Sequence, residues 1–312
     1  MSEKKLSRRK ALGSLAGMGA VGLIAGCENQ SVSQSALPPP PPLQLDLNDP
    51  VDLAVARQKV IGSVAEEQIH SFLRFHFYGQ VPGEKARRLL SMNNYIIDYW
   101  EPVERGTYRL RHYEVGYYTE FDTDNPIDSW VNPYTNEELE VFHFALGPIN
   151  REYSPETVLA PGLAPVPLTS HQMGGRLVVT TEAISQIPNL FKPDEWPKYS
   201  SGEQVNWLSL QTLSALMDDV LNPELNSAPS HIQLQNFISW ASWMKMGGIP
   251  GGTMARAFGT EVEGFDALPE NVLNGFRERT PEIFETDTWD VTRFDELDYF
   301  MKMQELRAKG EV

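Results

Sequence analysis

Apolar and polar residues alternate along most of the chain between residues 68 and 243. This period of two is typical of β-strands that bury one face, and clusters of Gly, Pro, Asn and Asp separate the alternating runs. One segment, residues 208–220, fits a helix equally well. The predicted strands comprise residues 68–78, 86–100, 107–121, 129–131, 139–146, 175–183, 205–220 and 231–243.

The period of 3.6 residues that indicates helices is confined to the C-terminal end. One helix is predicted to begin at Pro269, because proline suits the first helical turn. A second is predicted to follow Thr292, whose side chain suits an N-cap. The predicted apolar faces comprise Val272, Leu273 and Phe276 in the first helix, and Phe294, Leu297, Met301 and Leu306 in the second.

These elements predict a mainly β fold, described equally as β-rich α+β. Successive strands joined by tight turns favour an antiparallel meander that closes into a lipocalin-like barrel or a strongly bent sheet, followed by the C-terminal helices. Residues 45–312 are interpreted as a single domain, because no further linker interrupts them. Residues 28–44 contain five consecutive prolines and cannot bury a core, so they predict a disordered tether.

Residues 1–27 have the three parts of an export signal: a basic head, an apolar run of small residues, and a small-residue end. Arg8 and Arg9 resemble the pair of a twin-arginine signal, with Ala11 where Phe is usual. Cys27 follows Ile-Ala-Gly, which resembles a lipobox. An ordinary signal peptide with a chance cysteine is the alternative. The expected location is the periplasm or cell envelope, with the twin-arginine export machinery as a partner.

Lipidation of Cys27 would attach the protein to a membrane without a spanning helix, and either the inner or the outer membrane is compatible with Glu28 after it. The 42 acidic and 26 basic residues give a formal charge of −16. Loss of residues 1–26 removes five basic residues and one acidic residue, which brings the charge to −20. Such a charge argues against nucleic acid as a partner. A single cysteine excludes an internal disulfide, and the oligomeric state stays open.

Three alternating segments carry the candidate catalytic residues. His112, Glu114 and Tyr118 share one face of the strand predicted at 107–121, and His143 shares the apolar face of the next. We expect them to converge with His76 in the barrel interior, where a carboxylate beside an imidazole forms an acid–base pair. Scattered structural histidines are the alternative. His and Glu could also bind a divalent metal, but no H-x-H or H-E-x-x-H spacing supports this, so no metal or cofactor is assigned.

Aromatic residues in the second half of the chain are candidates for a ligand pocket. Trp240 and Trp243 lie close to Met244 and Met246, a composition that suits either core packing or an apolar wall. The predicted substrate-binding residues are Trp240, Trp243, Tyr118, Asn132 and His76. The acidic residues between Glu282 and Asp298, which include Asp295 and Glu296, predict a solvated surface.

Several strings together resemble a bacterial and fungal family known as domain-of-unknown-function family 1838. They occupy residues 79–83, 111–115, 129–137, 141–143, 227–229, 240–251 and 264–269, and the resemblance runs over roughly residues 47–285. The Trp-x-Asn-Pro-x-Thr and Trp-Met-x-Met-Gly-Gly-x-Pro-Gly strings are distinctive. The resemblance implies export through a twin-arginine signal and implies no particular reaction.

Two functions follow from these features. The first is an exported enzyme that acts on a small apolar or aromatic molecule by His/Glu acid–base chemistry in a barrel cavity. The second is a lipid-anchored carrier that holds a hydrophobic ligand without catalysis. An envelope interaction protein that uses its acidic surface is a third possibility.

Overall fold

The computed structural model describes residues 44–160, 164–289 and 292–312. The predicted signal, with Arg8, Arg9 and Cys27, and the tether up to residue 43 lie outside the described residues. The helices are α1 Pro50–Ile61, α2 Met217–Leu221, α3 Glu270–Arg279 and α4 Asp295–Lys309. The strands are β1 Glu67–Gln80, β2 Arg87–Glu104, β3 Thr107–Thr119, β4 Ser129–Val131, β5 Glu138–Glu140, β6 Phe144–Tyr153, β7 Thr157–Leu159, β8 Val166–Met173, β9 Arg176–Pro188, β10 Gln204–Leu216, β11 His231–Ile238, β12 Gly252–Val262 and β13 Arg293–Phe294.

Ten antiparallel strands form a closed barrel in the order β6-β3-β2-β1-β12-β11-β10-β9-β8-β7, and β7 pairs back to β6. Closure pairs every strand on both sides, which removes the exposed edges of an open sheet. Strand β13 adds to β6, and β4 and β5 form a separate hairpin. The β-rich barrel with C-terminal helices predicted from the alternation is therefore confirmed.

On the inner face of the barrel, large side chains of β1 pair with small residues of β12. Leu73 pairs with Gly259, Phe75 with Ala257, and Phe77 with Ala255. A Cβ on Gly259 would lie 2.1 Å from the carbonyl oxygen of Phe72, so no larger residue fits there. This pairing of bulky and small residues fills a narrow barrel. The odd-numbered residues of β1 therefore face the barrel interior.

Helix α1 packs against β9, β10 and α2 at one end of the barrel. Asp49 caps its N-terminus, and Ala56 and Val60 are fully buried in the main hydrophobic core. Gly62 ends the helix where a Cβ would lie 2.2 Å from the indole nitrogen of Trp100. The prediction that helices occur only near the C-terminus is therefore wrong. The sequence of α1 has apolar residues on most sides, so it shows little helical period.

The other end is covered by connecting segments and α4, which pack their aromatic residues together. Helix α4 buries Tyr299 and Met303, whereas Leu297 and Met301 of the predicted stripe are 39% and 54% exposed. Thr292 does not cap this helix, because its hydroxyl donates to the carbonyl of Pro148. The prediction of a helix here is right, but its buried face and its cap are wrong.

Other boundaries differ from the predicted ones. The strand predicted at 205–220, in which 208–220 fits a helix equally well, contains β10 and then α2. The segment 139–146 is divided between β5 and β6. Strands β7, β8 and β12 were not predicted from the alternation. The predicted helix at Pro269 is α3, which buries Val272, Leu273 and Phe276 against the outer face of β3. Within the part of the chain that the structure describes, none of the helices is both long and apolar enough to span a bilayer.

Candidate active site inside the barrel

Strands β2 and β3 direct a set of polar side chains into the barrel. Asp98 pairs in register with His112, and Asn94 pairs with Gly116. Asn94 is also the β2 partner of Leu73 on β1, and Leu73 is an inward residue of the core. Because residues two apart share a face of a strand, Asp98, His112 and Glu114 face inward as well. The interior thus receives an imidazole, two carboxylates and an amide from two neighbouring strands.

These groups form one hydrogen-bonded cluster. His112 contacts Asp98 through Nδ1 at 2.7 Å and Glu114 through Nε2 at 3.3 Å. Asn94 Nδ2 donates to Glu114 Oε1 at 2.8 Å and to the carbonyl of Val115 at 3.1 Å. His112 is 6% exposed and Asn94 is fully buried. The cluster is therefore held in a fixed geometry and largely shielded from water.

The two carboxylates determine the charge of His112. Burial alone would lower the pKa of the imidazole, but the charge and hydrogen bonds of Asp98 and Glu114 outweigh burial and raise it. A raised pKa keeps the imidazolium populated at neutral pH. Its Nε2 proton then points at Glu114, and a proton can pass between these two groups.

Inward side chains near this cluster are not completely covered. Ile96 lies between Asn94 and Asp98 on β2 and pairs with Glu114 across the ladder. Ile96, Glu114 and Asp98 each keep part of their surface accessible, as do Leu234 and Gln211 on the inner faces of β11 and β10. Accessible surface on inward residues means that the interior is not entirely filled by protein atoms. A small molecule could therefore contact the cluster.

The start of α4 contributes two more carboxyl groups, which are partly buried. Burial, followed by repulsion from Glu296 and then from Glu114, raises the pKa of Asp295. Burial also raises the pKa of Glu296, which accepts a 2.8 Å hydrogen bond from the backbone nitrogen of Ser242. The prediction that these acids form a solvated surface is wrong for Asp295 and Glu296, since α4 packs its first turn against the barrel end.

A further carboxyl group, Glu261, lies on the inner face of β12. It pairs with Ser71 on β1 and accepts hydrogen bonds from Ser227 at 3.0 Å and Ser230 at 3.3 Å. Burial raises the pKa of Glu261 to about 7; the two serines oppose this rise, and repulsion from Glu67 and Asp98 adds to it. The acidic character of the interior therefore extends from α4 to β12.

The sequence matches the model of one family, described as "Protein of unknown function (DUF1838)", over residues 66–304. The chain belongs to the DUF1838 family. No curated protein matches the chain. The matched span reaches from the start of β1 into α4, so the His112 cluster, Glu261 and Asp295 all lie within the DUF1838 domain.

His143 does not join the cluster in this DUF1838 domain. It accepts a hydrogen bond at Nδ1 from the backbone of Tyr118, and its Nε2 lies 3.5 Å from Asp128, which also binds Arg279. Burial lowers the pKa of His143, and Asp128 only partly offsets this. The predicted strand through 139–146 is interrupted before Phe144, so the alternation did not carry His143 into the interior.

His76 also lies apart from the cluster, contrary to the predicted convergence. It faces outward from β1, between the rings of Phe121 and Phe258, at centroid distances of 5.2 and 5.7 Å. Its Nδ1 lies 2.9 Å from the hydroxyl of Ser91, and burial lowers its pKa. His76 faces outward because adjacent residues of a strand point to opposite faces, and its neighbours Phe75 and Phe77 face inward.

The predicted substrate-binding aromatic residues pack in the core at the α4 end. Trp243 lies 5.5 Å from the ring of Tyr118 and is 3% exposed. Trp240 is 4% exposed and donates its indole hydrogen to the carbonyl of Ile249. Asn132 is fully buried and donates to the carbonyl of Met244. The side chains of four predicted substrate-binding residues therefore make structural contacts: Tyr118, Asn132, Trp240 and Trp243.

Five residues in or beside the barrel interior were not predicted from the sequence: Asn94, Asp98, Glu261, Asp295 and Glu296. A signal for the first two existed, because Asn94 and Asp98 alternate with Tyr95 and Ile97 in a strongly apolar strand. Among the described residues, no three His, Cys, Asp or Glu side chains are arranged to hold a metal ion. Two surface clefts have volumes of about 460 and 550 Å³, and neither is lined by His112 or Glu114.

Proposed function

We propose that the barrel interior is an enzyme active site that performs acid–base chemistry on a small molecule. The observation that carries this proposal is the position of His112 between two carboxylates inside the barrel. A buried imidazole with a raised pKa is a proton donor, and the adjacent Glu114 is a proton acceptor. Such a pair on rigid strands has the fixed geometry that general acid–base catalysis requires.

Each group has a distinct role in this proposal. Glu114 exchanges a proton with the substrate, and His112 supplies and takes up that proton through Nε2, while Asp98 orients the imidazole through Nδ1. Asn94 holds Glu114 through its amide nitrogen. Ile96 supplies an apolar surface directly across the ladder from Glu114. The substrate is therefore a small molecule that presents both an apolar body and an exchangeable proton.

The test compares variants in bacterial metabolite extracts analysed by mass spectrometry. Wild-type protein should convert a compound that His112→Asn and Glu114→Gln leave unchanged, whereas His143→Asn should convert it normally. Circular dichroism checks that each variant is folded. Equal conversion by all variants would contradict the catalytic assignment. If nothing is converted but denaturation releases a bound molecule from the wild type, the barrel is a carrier.

We also propose that the protein is exported and lipid-anchored. Arg8 and Arg9 in a basic head and Cys27 after a small-residue run support this. Replacing both arginines by lysine should retain the precursor in the cytoplasm. Cys27→Ala should move the exported protein from the membrane fraction to the soluble fraction, and Cys27→Ala protein that stays in the membrane fraction would contradict the anchor.

A further inference from the structure

Within the described part of the chain, the amide of Asn94 has one polar atom without a partner. Both neighbours of its nitrogen, Glu114 Oε1 and the carbonyl of Val115, are hydrogen-bond acceptors. The amide nitrogen must therefore face them, and the oxygen is the atom that remains. Asn94 is fully buried, and its Oδ1 accepts no hydrogen bond from any residue that the structure describes. A buried acceptor left unsatisfied is destabilising, so a ligand that supplies a donor here gains affinity.

The surroundings of Asn94 are acidic. Among the described residues, the buried or inward carboxyl groups make no ion pair with Lys or Arg, and only His112 contacts two of them. Arg151 on β6 is a further inward cation, since it pairs in register with Leu110 of β3. The carboxyl groups concerned are Glu67, Asp98, Glu114, Glu261, Asp295 and Glu296.

Two members of this set, Asp295 and Glu261, are repelled by other members. Beyond the effect of burial, Glu114 raises the pKa of Asp295, and Asp98 raises the pKa of Glu261. The groups therefore act on one another across the interior, and a bound cation would lower the energy of their charged forms.

We propose that the interior site binds a protonated amine, a primary or secondary ammonium group on an apolar body, that donates to Asn94 Oδ1 and is balanced by the carboxylates around Glu114. This inference rests on the interior being the ligand site, as proposed above. The ammonium supplies the donor that Asn94 lacks, and its charge adds to those of His112 and Arg151, which the six carboxyl groups outnumber. The apolar body lies against Ile96, the cross-strand neighbour of Glu114. A neutral alcohol would satisfy only the first need, and a carboxylate would meet repulsion.

The test measures thermal unfolding of the purified protein with matched probes at one pH and ionic strength. The amines are butylamine, benzylamine and phenethylamine, and each is compared with the alcohol and the carboxylate of the same carbon skeleton. Tetramethylammonium provides a positive charge without an N–H donor, and Mg²⁺ and Ca²⁺ provide charge alone. At least one amine should raise the unfolding temperature, while its alcohol and carboxylate, tetramethylammonium and the metal ions should not.

Variants then locate the bound amine. Asn94→Leu and Glu114→Gln should each weaken binding by roughly tenfold or more, the loss expected for one charge-assisted hydrogen bond. The exposed Asn274→Leu on α3 is the matched control and should bind normally. The comparison of amine with alcohol uses wild-type protein alone, so it decides the inference even if a variant does not fold.

The outcomes separate this inference from the proposed function. If no amine binds, or if an alcohol, a carboxylate or a metal ion stabilises the protein equally well, the amine inference is overturned. Those results leave the proposed active site to the turnover test. If an amine binds but folded Asn94→Leu and Glu114→Gln proteins bind it normally, the ligand lies elsewhere, and the inference is overturned together with the placement of the ligand in the interior.

Discussion

His112 and His143 are both largely buried histidines beside an aspartate, and they differ in almost every other respect. The carboxylates of Asp98 and Glu114 contact His112 from both sides and raise its pKa. Among the described residues, His143 forms an ion pair with Asp128 alone, and burial lowers its pKa. The comparison shows that the presence of a His–Asp pair does not by itself define the protonation state of the histidine.

The two aspartates explain the difference. The side chain of Asp128 is 70% exposed and is shared with Arg279, which takes up much of its charge. The side chain of Asp98 is 17% exposed and has no arginine partner among the described residues. Charge interactions are stronger where water is excluded, so Asp98 acts on its histidine more strongly than Asp128 does.

The largest expected effect is on catalysis. Once a substrate is known, His112→Asn should lower kcat by about a hundred- to ten-thousand-fold, the usual contribution of a general acid or base. His143→Asn should change kcat by less than about threefold, since it removes only a structural contact. Steady-state kinetics of the two folded variants checks this. Equal losses in both would remove the functional distinction between the histidines.

A second effect extends the interior side of the comparison to Glu261. Its pKa is about 7 in the folded protein against 4.5 for a free glutamate. Between these pH values the unfolded chain loses its proton first, so the native state loses stability as the pH rises. The loss at pH 8 is about 3 kcal/mol.

Glu261→Gln keeps a hydrogen-bonding side chain beside Ser227 and Ser230 and removes the charge. It should therefore be more stable than wild type at pH 8 and about equal to it at pH 4. Urea unfolding of both proteins across this range measures the difference. A stability difference that does not vary with pH would show that Glu261 titrates normally.

A third effect compares the two aspartates by stability. Asp98→Asn should cost about 2 kcal/mol at pH 7, because it weakens a buried hydrogen bond between charged groups. Asp128→Asn should cost less than about 1 kcal/mol, as expected of an exposed ion pair. Chemical denaturation of each single variant gives these values. A larger cost for Asp128→Asn would reverse the interpretation of their environments.

The alternation of residues was enough to predict the barrel and to place His112 and Glu114 on one face of β3. It did not decide His76, because both faces of β1 are largely apolar or aromatic and its outer face is covered by residues such as Phe121 and Phe258. Strand β12 was missed because its inward residues include Ala255, Ala257 and Gly259, whose small size complements β1 only once the strands are paired.

The acidic interior was harder to predict for a different reason. Asp295 and Glu296 lie in an acid-rich C-terminal stretch, where charge alone predicts solvation. They are partly buried because α4 packs across the barrel end and the backbone of Ser242, 54 residues earlier, donates to Glu296. A contact between such distant segments depends on the closed barrel and has no local signature.

The smallest effect is the most direct comparison of the two histidines. In an NMR titration, the imidazole of His112 should titrate above the ordinary pKa of 6.5 and that of His143 below it. The stabilisation that His112 gains from its proton is therefore complete below pH 6.5 and is lost as the pH rises through its folded pKa. His143 has the opposite sign: it is harder to protonate in the native state, so it lowers stability as the pH falls below 6.5.

Single His→Asn variants assign the two resonances, and Asp98→Asn should lower the pKa of His112 while leaving that of His143 unchanged. If His112 titrates at or below 6.5, the two carboxylates do not control it in the way that its catalytic role requires.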